Sequence, residues 1–231
     1  MERPPPLPRA FYARPPLDVA PGLIGRMIWH ESPEGETVAA MIVETEAYLG
    51  PADRASHTRA GRTARTAPMF GPAGHAYVYR LYGMHWAFNV VAHAADAEAG
   101  AVLVRAALPV EGIETQRLRR GRAGDPAERL AAGPGRLCQA LGIGGTDTGR
   151  DLTAGAPLWI GAAPPALRLG PDARFLTGPR INVAYAGEPW VGAPYRFGLA
   201  GSPALSVRFP APREGVPVRF PSTVPDIGRA G

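Results

Sequence analysis

Two glutamates one residue apart, Glu44 and Glu46, sit inside the apolar run Met41–Tyr48. If that run is a strand, alternation puts Glu44, Glu46 and Tyr48 on one face and Val43, Thr45 and Ala47 on the other. A solvated edge face is the ordinary reading of two strand acids. Two features favour chemistry: apolar residues flank the pair, and a second apolar run, Ala101–Leu108, carries Arg105. A buried carboxylate beside an arginine stays ionised and can act as a base. Because both glutamates emerge on one side, they are poorly placed to clasp a glycosidic bond from opposite faces, as paired-carboxylate sugar hydrolases do. One working glutamate is the expectation, with the sugar hydrolase as the rival.

Immediately downstream, residues 54–95 contain no acid, although the chain has 20 Asp and Glu in 231 residues. The segment holds Arg54, Arg59, Arg62, Arg65 and Arg80, four of the five histidines, and six aromatics including Tyr77, Tyr79, Tyr82 and Trp86. The rest of the chain is formally neutral, so the whole net charge of +5 lies here. Basic charge interleaved with aromatic rings is what holds phosphates and stacks bases. Around Tyr82-Gly83-Met84, the runs Ala76–Leu81 and His85–Ala92 read as a tight hairpin whose tip presents Tyr82, a wedge suited to unstacking a duplex.

The elements that must position these residues follow from pattern. Residues 1–16 are proline-rich and read as a loose arm, with Asp18 placed to cap a short helical turn through about Gly25. Met27–His30 and Thr37–Glu46 read as strands, Gly50–Ala73 as a polar surface loop, and Ala101–Leu108 as a buried strand. Glu111–Arg120 has helical composition, with acids first and arginines last, and a short helix starts at Gly135. Further strands are expected at Pro157–Ile160, Arg180–Ala184 and Ala204–Val207. Strands that follow one another directly favour an α+β fold: a single domain (17–208) with a curved, largely antiparallel sheet and a protruding β-hairpin. A proline-rich tail (209–231) follows.

Composition narrows the chemistry. All 25 basic residues are arginine, so a lysine Schiff base is excluded. The one cysteine, Cys138, forbids an internal disulfide and a multi-cysteine zinc site, and a reducing bacterial cytoplasm fits. The stretch Met1–Pro8 lacks the apolar core of a signal peptide, and no window approaches 18 uninterrupted apolar residues, so no membrane partner is expected. His85, His93 and Asp96 lack convergent metal-ligand spacing. Gly142–Gly145 lacks the strand–helix context of a dinucleotide site. Gly133-Pro134-Gly135-Arg136 can present amides to a phosphate, though helix capping accounts for it equally well. No metal or cofactor is expected.

A set of ordered blocks resembles the alkyladenine (3-methyladenine) DNA glycosylase family. They are Val43–Pro51 with His57 following, Met69–Tyr79, Tyr82–Trp86 with Asn89, Val102–Ala106, Gly133–Leu141 and Ala186–Trp190. The resemblance implies a monomer that flips a damaged purine out of double-stranded DNA and hydrolyses its N-glycosidic bond. By that resemblance Glu46 activates the water, held with Arg105 and a backbone carbonyl at Ile181. Tyr48, His57 and Tyr79 sandwich the flipped base, and Asn89 obstructs a guanine 2-amino group. Tyr82 fills the vacated position, with Met84 beside it on the DNA, while Arg59, Arg62, Arg65 and Arg80 are the expected phosphate contacts. The family usually has Thr-Pro-Arg-Asn where this chain reads Thr63-Ala64-Arg65-Thr66. Without lysine the product should be an abasic site with an intact backbone. The rival is a non-catalytic nucleic-acid-binding module of similar fold.

Overall fold

The long strand β2 (Thr37–Tyr48) organises the molecule; the computed structural model describes residues 3–81 and 83–210. Along one side β2 pairs with β5 (Ala101–Glu111). Along the other it pairs first with β1 (Met27–Glu31) and then with β8 (Arg196–Leu199), in the registers Glu44↔Gly198 and Glu46↔Arg196. β3 (Ala76–Leu81) and β4 (His85–Val91) extend the sheet beyond β5; β6 (Leu158–Gly161) lies beyond β1, and β7 (Phe175–Gly178) pairs with β8. All eight strands form one antiparallel sheet. With its helices it is the α+β architecture expected from the strand succession, hairpin included.

Strict alternation does not survive along β2, and that failure makes the site. Val38, Ala40 and Ile42 pack into the main core, whereas Ala39, Met41 and Val43 pack into a second cluster on the opposite face. Continued alternation would send Glu44 and Glu46 into the main core. Instead the register with β5 shifts on both sides of Glu44. Ile42 faces Ala107, Glu44 faces Ala106 and Thr45 faces Val104, so Val43 and Arg105 are each left without an opposite number. One extra residue on each strand reverses the side-chain parity of both. Beyond the bulge Ala47, Val102 and Val104 point into the main core, and Thr45 Oγ1 donates to the Ala20 carbonyl at 2.9 Å. The expectation that Val43 shares a face with Thr45 and Ala47 is therefore corrected, since a bulge separates them.

The main core lies between this face and the helices. Here α2 (Pro16–Leu23) contributes Val19, Ala20 and Leu23, and α5 (Pro134–Leu141) contributes Leu137, Cys138, Ala140 and Leu141. Two shorter segments, α3 (Ile113–Arg120) and α4 (Ala127–Leu130), follow β5. Glu111 closes β5 instead of opening α3, whose first turn holds Glu114 and whose last holds Arg117, Arg119 and Arg120. The proline-rich start is not loose over residues 3–16: α1 (Arg9–Tyr12) buries Phe11 and Tyr12, and Leu7 joins the core. Asp18 lies inside α2, which starts two residues earlier at Pro16, because proline is preorganised for the first helical position. Residues 50–73 are loop and short 3₁₀ turns, as expected. No strand forms at Arg180–Ala184, where turns and a 3₁₀ segment stand, or at Ala204–Val207; Phe175–Gly178 and Arg196–Leu199 supply those strands instead. All but the first two residues of the expected proline-rich tail (209–231) lie outside the described residues. Among the described residues no helix is long and apolar enough to cross a membrane.

Candidate active site

Glu46 occupies the reversed face of β2 between β5 and β8, and is 0% exposed. A carboxylate there needs donors and a counter-charge, and two donors and one cation arrive from separate segments. The Tyr48 hydroxyl donates to Oε2 at 2.8 Å and the Ile181 amide to Oε1 at 2.9 Å. Arg105 brings Nη1 to 3.4 Å from Oε1. Tyr48, Arg105 and Ile181 all line a cavity of about 640 Å³, within the range of ~300–1,000 Å³ typical of small-ligand pockets. Glu46 thus lies just beneath the floor, and its partners form the floor. Burial first, then the Glu46 charge, raises the Tyr48 pKa well above the usual phenol range, which keeps that hydroxyl a donor.

Aromatic rings wall the same cavity. His57 and Tyr79 meet edge-on with centroids 4.5 Å apart, and Tyr77 stacks on Tyr79 at 5.4 Å. The His57 Nδ1 lies 3.0 Å from the Tyr77 hydroxyl, and Asn89 Nδ2 donates to the Tyr77 carbonyl at 3.1 Å, which fixes Asn89 on the wall. Burial, then the charges of Arg65 and Arg59, pulls the His57 pKa down to about 4, so the ring is neutral at neutral pH. The cavity rim carries cations on rings: Arg65 over Tyr79 at 5.2 Å, Arg59 over Tyr185 at 4.9 Å, and Arg80 over Trp86 at 5.1 Å. Arg59, Arg62, Arg65 and Arg80 are all exposed.

A buried ion pair braces the loops that hold these walls. Arg180 donates to both oxygens of Asp53 and to the Ala47 carbonyl, with both ionic side chains fully buried. Asp53 in turn accepts from the amides of Leu49 and Ala55. The chain turns off β2 at Gly50, whose φ is +103° and where a Cβ would stand 2.5 Å from the Ala99 carbonyl oxygen; only glycine fits.

Residues 10–203 match the model of the family described as methylpurine-DNA glycosylase. The chain belongs to this family. Its relatives include proteins named as candidate 3-methyladenine DNA glycosylases from three organisms. That of Anaeromyxobacter dehalogenans is 47% identical over 201 residues, covering 87% of this chain and 85% of the relative. That of Rhodopseudomonas palustris is 47% identical over 206 residues, covering 89% and 92%. That of Methanocella arvoryzae is 43% identical over 206 residues, covering 89% and 98%. Membership makes the chain a DNA glycosylase, a hydrolase of N-glycosyl bonds, and sets aside the non-catalytic module.

The structure of this methylpurine-DNA glycosylase homologue gathers Arg105, Ile181, Tyr48, His57, Tyr79 and Asn89 around one cavity, with Glu46 directly behind it. Arg65 and Arg80 also line it, whereas Arg59 reaches it through Tyr185, and Arg62 is exposed on the same loop. Ile181 meets Glu46 through its amide N–H. Tyr82 lies outside the described residues; Met84, in the turn between β3 and β4, is 76% exposed. Sequence reasoning missed Tyr185, whose ring is 57% exposed and whose hydroxyl donates to the Ala55 carbonyl at 2.9 Å. It also missed the Asp53–Arg180 pair and Arg196. The only available sign of the pair was that Asp53 is the last acid before the long acid-free stretch.

Proposed function

We propose that this glycosylase acts as a monomer in the cytoplasm on double-stranded DNA containing alkylated or deaminated purines, and is monofunctional. Arg59, Arg62, Arg65 and Arg80 hold backbone phosphates and Met84 lies on the DNA, while Tyr82 fills the stack as the damaged nucleotide rotates into the cavity. Its base stacks against Tyr48, His57 and Tyr79, and Asn89 crowds the position of a guanine 2-amino group.

Glu46 is the base. Held with Arg105 and the Ile181 backbone, a water is aimed at C1′; its proton passes to Glu46 as its oxygen bonds C1′. The C1′–N bond breaks and its electron pair leaves with the purine. An N3- or N7-alkylated purine is cationic and departs neutral, so no acid is needed, whereas a neutral lesion requires a proton donor. The carboxylate charge also stabilises the oxocarbenium-like transition state. No lysine is present to capture C1′, so the backbone stays intact.

One observation carries this reading: the fully buried Glu46 has its two hydrogen-bond donors and its arginine partner on the floor of an aromatic-walled cavity. The deciding experiment incubates the protein with duplex oligonucleotides, each bearing 3-methyladenine, 7-methylguanine, hypoxanthine or ethenoadenine, followed by alkaline cleavage. Lesion-dependent strand cleavage only after alkali is expected. Cleavage without alkali, or none with any lesion, would contradict the reading.

A further inference from the structure

Behind the cavity stands a second carboxylate that the mechanism does not use. Glu44 is as buried as Glu46 and two residues from it on the same strand. Its oxygens accept from the Ser206 amide at 2.6 Å, the Ser206 hydroxyl at 3.0 Å and Arg196 Nη1 at 3.0 Å. Arg105 Nε lies 3.4 Å from Glu44 and donates to the Ser206 hydroxyl oxygen at 3.0 Å. Arg196 is itself pinned. Its Nε donates to the Pro179 carbonyl at 2.9 Å and its Nη1 to the Val207 carbonyl at 3.1 Å, and its guanidinium lies 3.7 Å from the Phe209 ring centroid.

Arginine carries its donors in a rigid planar fork, so fixing the Nε edge fixes where the far nitrogens point. Here the Ser206 hydroxyl, itself held by Glu44, takes the Nε hydrogen, with Glu44 3.4 Å away, and Nη1 is what remains for Glu46. A free arginine–carboxylate pair closes to bonds of about 2.7–2.9 Å, often two at once. Arg105 stays 3.4 Å from Glu46, longer than such a bond. Electrical neutrality of Arg105 does not require Glu44, since Glu46 alone supplies one negative charge.

We propose that Glu44 is a positioning residue for the glycosylase reaction: with Ser206 and Arg196 it holds Arg105 back from a closed ion pair with Glu46, leaving Glu46 oxygen and Arg105 nitrogen free to share the reacting water. This rests on Glu46 being the base. The groups facing Glu46 are Arg105, Tyr48, Tyr79 and Arg180; those facing Glu44 are Arg105 and Arg196. Replacing Glu44 by a neutral isostere leaves Arg105 with Glu46 alone. Arg105 then closes on it, competing with the water and with the proton.

The test is single-turnover base release on 3-methyladenine- or hypoxanthine-containing duplex, whichever the wild type cleaves, across pH 4–9, for Glu44→Gln and Ser206→Ala. Folding is checked by thermal melting and lesion-DNA affinity by titration. For Glu44→Gln the saturated rate is expected to fall about tenfold to a hundredfold, by analogy with the loss of a residue that orients a metal ligand. Affinity should stay within about twofold, and the acidic limb of the rate profile should move to lower pH. Ser206→Ala keeps every charge and removes one hydroxyl, so its rate should fall about two- to tenfold, the worth of one hydrogen bond. If Glu44→Gln does not fold, Ser206→Ala decides alone. A folded variant with a lower melting temperature but an unchanged rate and pH profile overturns the proposal and makes Glu44 a structural counter-charge. If Glu46→Gln stays fully active, the assignment of the base fails first; if it is inactive while the other two variants match wild type, only the positioning role fails.

Discussion

The seam behind the cavity and the rim in front of it are both built from arginine, used in opposite ways. In the seam Arg105, Arg180 and Arg196 are buried, and each meets a carboxylate: Glu44 and Glu46, Asp53, and Glu44 in turn. At the rim Arg59, Arg65 and Arg80 are exposed and lie over aromatic rings. None of the three makes an ion pair among the described residues. A guanidinium whose charge is met by an acid is fixed in place, as scaffold at Arg180 and Arg196 and as part of the site at Arg105; one laid on a π-face keeps its charge available to a phosphate. The difference follows from where acids are absent, since the acid-free stretch 54–95 supplies the rim and the seam draws its arginines from β5 and from residues 180–196.

Substitutions on the two sides should therefore fail differently. The largest effect is expected in the seam: Arg180→Met strands Asp53 as a buried unpaired charge, and urea denaturation should show a loss of ~3–5 kcal/mol. Arg62→Ala at the rim should stay within about 0.5 kcal/mol in the same assay. Next comes the wall: Tyr79→Ala removes a stacking face and should weaken binding to lesion-containing duplex by ~1–3 kcal/mol, measured by fluorescence titration. Smaller again is the salt response of the rim. Arg59→Ala and Arg62→Ala should each neutralise one phosphate fewer and so reduce the slope of log affinity against log salt by about 0.9, while Ser206→Ala should leave it unchanged. An unchanged slope in both rim variants would remove the distinction between rim and seam.

The smallest effect is a pH response at the wall. The His57 pKa falls from 6.5 to about 4 because burial, then Arg65 and Arg59, disfavour its charged form. Between those values the unfolded chain binds more protons than the folded one, so this group's contribution to stability, complete above about pH 6.5, declines as pH falls toward 4. His57→Gln should flatten that limb of the stability curve in urea midpoints measured at pH 4, 5, 6 and 7; an unaltered limb would contradict the origin assigned to the shift.

Much of the fold and of the site is legible in the sequence, for identifiable reasons. The strands around Glu44–Glu46 and at Ala76–Leu81, His85–Val91 and Ala101–Glu111 have apolar patterns that agree with their final burial. The paired register shifts are not legible, because a bulge leaves no mark on composition: strict alternation predicts the right face for Glu46 only if counting begins after Val43. The strands β7 and β8 escape sequence reasoning because Phe175–Gly178 and Arg196–Leu199 each carry only two apolar residues beside Thr, Gly or Arg, whereas the equally short β6 is marked by the apolar run Leu158-Trp159-Ile160. Proline misleads at the start of the chain, where residues that look like a linker instead carry Leu7, Phe11 and Tyr12 into the core. Long-range pairings such as Asp53 with Arg180 have no local signal, since burial of both charges depends on segments far apart in sequence meeting.

The central claim is that Glu46 activates water for base release, and Glu46→Gln tests it most directly. The variant keeps the shape and replaces the carboxylate by an amide that cannot accept the proton. On a lesion-bearing duplex the wild type cleaves, binding should persist while single-turnover base release falls by ~10²–10⁴. Release at the wild-type rate from a correctly folded Glu46→Gln protein would show that another group is the base.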